Sequence, residues 1–294
     1  MSGRIRRAAA ALGLHVARRR NYDLVPRNYY SPIPDESRLP GDIRQRRSAM
    51  RGIALDTGAQ ITWAERELAA FAGEFEAPAA RDEAAGGFWF ENPMYQYGDA
   101  EIAYAIVRRF KPRRVVEFGS GFSTLVLAHA AKANSREGHP TLVESNDPFP
   151  SALVEDPVEG LSALRCRPAE SIPVEEIEGL VEGDVLFVDT THVVRLGGEV
   201  NHIVLDVLPG LRKGVLVHFH DIWLPYEYHP GLTEHLNMHW TEQYLLQALL
   251  SGNPSFEILF ATQAVATEQA ERFRRLVPRF KGVNHPTSFW LQRR

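Results

Sequence analysis

RRVVEFGSGFSTL, residues 113–125, decides the fold of this chain. A β-branched apolar run reaches an acid, Glu117, breaks at Gly119, Ser120 and Gly121, and resumes as a helical pattern near Ser123. This is how a buried strand hands over to a helix whose unpaired N–H groups face a ligand, with small residues letting the ligand approach the backbone. Two later runs, DVLFVDTTH at 184–192 and GVLVHFHDI at 214–222, again end in ionisable residues, where buried parallel strands deliver chemistry at their carboxyl ends.

Outward from these runs, strand patterns near 113–118, 140–144, 163–167, 184–189, 214–219, 256–262 and 287–292 alternate with helical ones. The alternation predicts an α/β fold, a doubly wound, mostly parallel, seven-stranded Rossmann-like sheet, with SFWLQ (288–292) as a final antiparallel strand. Residues 1–87 read as an N-terminal arm and helical extension, and 88–294 as the main domain. Within the extension, Thr57 and Gln60 have capping-box spacing ahead of the stripe Ile61, Leu68, Phe71 and Phe75. Residues 77–87 read as a loop, and FWFENPMYQYGDA (88–100) leads into a helix over 100–110.

Composition narrows the function classes. With 294 residues and 44% hydrophobic content the chain can bury a full core. Its formal charge of -4 provides no basic field for nucleic acid, which is excluded as a partner. Lone Cys166 excludes an internal disulfide framework, and no apolar run reaches the roughly 18 residues of a membrane span, so a cytoplasmic protein is expected. Cationic residues are almost all Arg, a composition expected of a high-GC genome. The first 20 residues carry six Arg and no acid around Ala8–Leu14, the pattern of a basic amphipathic helix in weak surface contact or of a solvated terminus. Residues 21–51, rich in Pro, Tyr and Arg, read as an extended arm over the main domain.

The glycine turn alone does not separate nicotinamide dinucleotides from S-adenosylmethionine, although the third glycine of a dinucleotide site is replaced by Thr124. Glu144, at the end of TLVE and about 20 residues beyond the turn, suits an adenosine ribose in either ligand. Glu117 beside the turn, able to meet a ligand ammonium, favours S-adenosylmethionine.

The Glu-x-Gly-x-Gly-x-Ser turn, the acid of the second strand and the Asp ending the fourth resemble a class I S-adenosylmethionine-dependent methyltransferase. YGDAEIAYAIVRRFKPRRVVEFGSG, VLFVDTTH, VLVHFHDI and the leader NYYSPIPD are similar to a bacterial subgroup found among polysaccharide and natural-product genes, related to macrolide-sugar and catechol O-methyltransferases. The resemblance covers roughly Phe88–Ala261. It implies cofactor contacts at Gly98, Asp99, Glu117, Gly119, Ser120, Gly121, Glu144 and, on the adenine side, Glu170 or Ser171. It also implies a divalent metal (Mg, Mn or Fe) at Asp189, His220 and Asp221, and catalytic roles for His192, His220 and Asp221.

Three departures bear on the chemistry. His220 and Asp221 stand where the catechol-type site has an Asp and Asn pair, and His192 occupies the place of its catalytic lysine. Imidazole in place of carboxylate favours a transition metal over magnesium, or orientation of the substrate by hydrogen bonds without metal. His218 shares a strand face with His220 and completes a two-His, one-carboxylate set, while on its own it reads as a core histidine. His192, with His220 second, suits the general base that an acceptor hydroxyl needs.

The segment WLPYEYHPGLTEHLNMHW (223–240) reads as a lid over a small-molecule or glycan hydroxyl acceptor, and equally as a homo-oligomer interface. Three functions fit these residues: O-methylation with S-adenosylmethionine, a metal-dependent hydroxylase-type reaction on the same scaffold, and a non-catalytic cofactor-binding or assembly protein. Ionisable residues at two strand ends speak against the last.

Overall fold

The computed structural model describes residues 29–81, 87–154, 157–282 and 285–294. The chain divides into two compact units, 1–43 and 44–294. The first is described from Tyr29 onward and holds a short 3-10 turn at Glu36–Arg38. The basic segment expected over the first 20 residues lies outside the described residues.

The larger unit is a seven-stranded sheet in the order β3-β2-β1-β4-β5-β7-β6. Its strands are β1 (Arg114–Phe118), β2 (Leu142–Asn146), β3 (Ala163–Arg165), β4 (Val185–Val188), β5 (Leu216–Phe219), β6 (Phe256–Ala261) and β7 (Phe289–Arg293). Pairings from β3 through β5 are parallel, whereas β7 runs antiparallel to both β5 and β6. The doubly wound Rossmann-like sheet predicted from the alternation is therefore present, with its last strand inserted between β5 and β6.

The central strands are apolar on both faces because helices cover both. Val115, Val185 and Phe187 enter one core with Ile61, Ala103, Ile106 and Val126. Their neighbours Val116, Leu186 and Val188 enter the other with Ile203, Val207 and Leu211. This period of two leaves no polar position in β4, where truncating Phe187 to Ala would cost about 3–5 kcal/mol.

The helices of five or more residues are α1 (Thr57–Glu67), α2 (Asp99–Phe110), α3 (Phe122–Arg136), α4 (Val174–Glu178), α5 (199–210, with a π-helical turn at His202–Val207), α6 (Pro230–Glu234), α7 (Glu242–Leu250), α8 (Thr262–Glu268) and α9 (Ala270–Leu276). Helix α1 is capped one residue earlier than its sequence spacing predicts, the Asp56 side chain accepting the Ala59 N–H at 2.9 Å. Helix α1 belongs to the larger unit and packs on β6 and α8. Helix α2 ends at left-handed Lys111 followed by Pro112, which cannot continue it. Among the described residues, no helix is long and apolar enough to cross a membrane.

The sheet order reverses between β1 and β4, the place where open α/β sheets bind ligands beyond their strand ends. Gly119, just after β1, packs so tightly on the residue ending β4 that a Cβ there would stand 2.0 Å from the Asp189 carbonyl oxygen.

Candidate active site

Two groups of residues meet at this reversal. The first surrounds the turn after β1. Gly119 has a φ of 105°, a conformation that strains any residue with a side chain, and its N–H donates to the Asn146 carbonyl at 2.9 Å. The Gly121 N–H is satisfied by Thr124 Oγ1 at 2.9 Å, so α3 begins directly from the turn. Glu117 lies beneath it, wholly buried. Its carboxylate accepts the hydroxyls of Ser123 and Thr124, each at 2.7 Å, and of Ser145. Burial raises its pKa to about 7 against the pull of these three hydroxyls. Glu117 thus braces the turn from inside the protein, where the sequence reading expected it to face a ligand ammonium.

Glu144 does not end its strand, because β2 continues to Asn146. Its carboxylate is held between Arg114 at 2.6 Å and Arg165 at 2.7 Å. Against the effect of burial, the two guanidiniums hold its pKa below the usual value. The acid at the strand's end is Asp147, whose Oδ2 accepts the Ser120 hydroxyl at 2.9 Å and whose Oδ1 accepts the Phe149 N–H at 2.7 Å. Beside it the Phe149 ring is 88% exposed. Glu170 and Ser171 stand exposed in a 3-10 turn after β3. Asp99 and Gly98 lie toward β7: Asp99 is buried and accepts the N–H groups of Thr287 and Ser288 at 2.9 and 2.7 Å. Gly98 approaches Pro286 closely, and its N–H donates to Glu101 at 2.8 Å.

The second group lies at the ends of β4 and β5. Asp189, His220 and Asp221 each bring a donor atom within 4.8 Å of the others. His220 Nδ1 stands 3.6 Å from Asp189 Oδ2 and 3.5 Å from Asp221 Oδ2, while its Nε2 faces Asp99 at 3.6 Å. His192 Nε2 stands 3.5 Å from both Asp189 Oδ1 and Asp221 Oδ2. Its Nδ1 is 2.9 Å from Glu242 Oε2. His192 and Asp221 both adopt left-handed backbone, with φ of 60° and 57°, a strained state for non-glycine residues that persists where the surroundings enforce it. Burial disfavours charge on His192, yet hydrogen bonds with Asp189 and Glu242 raise its pKa to about 10. Burial likewise opposes the Asp189 carboxylate, which His220 and His192 nevertheless hold well below its usual range.

This oxygen and imidazole set fits a divalent ion. Three donor residues converge, and Asp221 carries its carboxylate on left-handed backbone. His218 is not among them. It lies in the core, stacked on Phe187 at 3.7 Å with Nε2 bonded to Ser288 Oγ at 2.9 Å.

The segment 223–240 is less uniform than a single lid. Its first half is built in: Trp223, Leu224 and Tyr228 are buried, and Gln243 ties the Trp223 N–H and the Tyr226 carbonyl to α7. Its second half carries exposed Leu236 and Met238. Trp223, Tyr226, Tyr228, His229, His285 and Pro286 contribute to the wall of a cavity of about 380 Å³. Trp223 and Pro286 are close in sequence to Asp221 and Thr287, whose hydroxyl donates to Asp221 Oδ1 at 3.0 Å.

Sequence reasoning missed Asp147, Phe149, Glu242 and Thr287. The first two were detectable had the second strand been extended by two residues. Glu242, fifty positions from His192, left no local signal.

Residues 116–222 match a family described as a methyltransferase domain. No curated protein sequence matches the chain. Among solved structures it is similar to the apo structure of CmcI-N160, at 13% identity and a TM-score of 0.43 over 75% of this chain and 82% of that one. It is also similar to an O-methyltransferase from Bacillus cereus in complex with SAH, at 11% identity and a TM-score of 0.37 over 82% of this chain and 93% of that one. Likeness this distant transfers no ligand and no residue role.

Proposed function

We propose that this chain, whose residues 116–222 match a methyltransferase-domain family, is a class I S-adenosylmethionine-dependent enzyme that methylates a hydroxyl group of a small molecule or glycan with the help of a divalent metal. The observation that carries the reading is the meeting, at one reversal point, of a glycine turn backed by Glu117 and a cluster of two carboxylates and two imidazoles.

On the cofactor side, Gly121, where nothing lies within 4 Å of the place a Cβ would take, leaves room for a close ligand, Asp147 suits the ribose hydroxyls and the exposed Phe149 ring suits the adenine face. S-adenosylmethionine supplies an activated methyl group on a sulfonium. The protein's task is to hold the acceptor oxygen in line and to take its proton. With the Asp189 and Asp221 carboxylates engaged by a cation, the pull that raises the His192 pKa would weaken and leave Nε2 unprotonated, so that as the C–O bond forms and the C–S bond breaks the hydroxyl proton passes to it and S-adenosylhomocysteine leaves. A cation held by Asp189, His220 and Asp221 would lower the acceptor hydroxyl's pKa and fix its position. The aromatic-walled cavity beside Trp223 suits the body of the acceptor.

The test is calorimetric titration of metal-stripped protein with S-adenosylhomocysteine, alone and with manganese. Micromolar binding is the expected result, and absence of binding under both conditions would refute the reading.

A further inference from the structure

His192 is gripped at three points by the start of α7. Its carbonyl accepts the N–H groups of Thr241 and Glu242 at 2.8 and 3.0 Å. The Trp240 ring lies 4.6 Å from the imidazole, centroid to centroid. Glu242 Oε2 stands 2.9 Å from Nδ1.

Glu242 is wholly buried, and its other oxygen, Oε1, is buried without a hydrogen-bond partner. Sinking a carboxylate for a single contact costs several kcal/mol. Its place in the first turn of α7 offsets part of that cost through the helix dipole. What a carboxylate adds here is an acceptor that holds a proton on Nδ1 whether the ring is neutral or charged. The remaining ring nitrogen, Nε2, then faces the Asp189 and Asp221 carboxylates, each at 3.5 Å.

We propose that Glu242 is a positioning residue that fixes the tautomer and orientation of His192, so that Nε2 and not Nδ1 takes the acceptor's proton. The proposal rests on the reading of His192 as the base. A carboxylate behind a catalytic imidazole serves this purpose in other hydrolytic and transfer sites, where its loss leaves the geometry intact but presents the wrong nitrogen.

The experiment uses the full chain labelled with 15N-histidine, as wild type, Glu242→Gln, Glu242→Ala and His192→Gln. The expected wild-type signature is a downfield, slowly exchanging imidazole proton coupled to Nδ1, assigned by its absence in His192→Gln. It should disappear in Glu242→Ala and move upfield or broaden in Glu242→Gln. Affinity for S-adenosylhomocysteine should stay within about threefold of wild type in both Glu242 variants. Persistence of the resonance in Glu242→Ala would overturn the proposal. A parallel fall of melting temperature and cofactor affinity in both variants, Glu242→Gln included, would overturn it too by assigning Glu242 a structural role. Failure of the wild type to bind S-adenosylhomocysteine while the imidazole signature is present would instead refute the methyl-transfer reading, so the two failures are distinguishable.

Discussion

The ends of β1 and β4 lie side by side, yet they treat their ionisable groups in opposite ways. Around Glu117 every carboxylate oxygen is taken up by hydroxyls of the protein itself. Around Asp189 the imidazole and carboxylate atoms stand 3.5 to 3.6 Å apart, and two of the residues carry left-handed backbone. A satisfied carboxylate braces a turn, whereas donors held apart at strained positions are aimed at something between them. The comparison separates scaffold from chemistry within one strand-end row.

The largest effect should come from emptying the second group. Asp189→Ala or Asp221→Ala is expected to weaken manganese binding by more than about 100-fold while leaving S-adenosylhomocysteine affinity nearly unchanged, read by calorimetry. Equal loss of both would mean that the two groups are one site. Next comes the contact between the groups. Gly119→Ala places a Cβ against the Asp189 carbonyl at a positive φ, and should destabilise by about 3 kcal/mol, lowering the melting temperature by about 6–12 °C. A melting temperature equal to wild type would show that β1 and β4 ends are less tightly joined.

On the cofactor side, Asp147→Ala and Phe149→Ala should each reduce S-adenosylhomocysteine affinity by about tenfold, and Glu144→Gln by less than about threefold. The reverse ranking would restore Glu144 to the ribose.

The last effect concerns pH. Burial raises the folded-state pKa of Glu117 to about 7 from an ordinary 4.5. Between those values the unfolded chain has released the proton that the folded one retains, so stability falls as pH rises through this window. Glu117→Gln should flatten that fall, on the order of 1–3 kcal/mol, in denaturant titrations at pH 4.5 and 7. An unchanged slope would mean that the three hydroxyls keep the carboxylate ionised.

Much of this was legible in the residues. The sheet was readable because β4 is a continuous apolar run and β1 and β5 are apolar but for Arg114, Glu117 and His218, the composition of strands covered on both faces. Asp189, His220 and Asp221 were readable because they directly follow or flank such runs. Glu144 misled because an acid in a strand looks like its end, and the two arginines that neutralise it come from β1 and β3. Asp99 and Glu242 act through partners far along the chain, at Thr287, Ser288 and His192, and no local periodicity encodes such pairs.

Strand β7 follows every other strand in sequence but sits between β5 and β6, and the residues leading into it supply the N–H groups that hold Asp99 and the hydroxyl that holds Asp221. During synthesis β1 to β5 can pair as they emerge, because their order is built outward from β1. The cluster at the ends of β4 and β5 is completed only when residues 287–293 arrive and dock. A nascent chain stopped before that point would have the glycine turn without the finished cluster, so the two halves of the candidate site form in sequence.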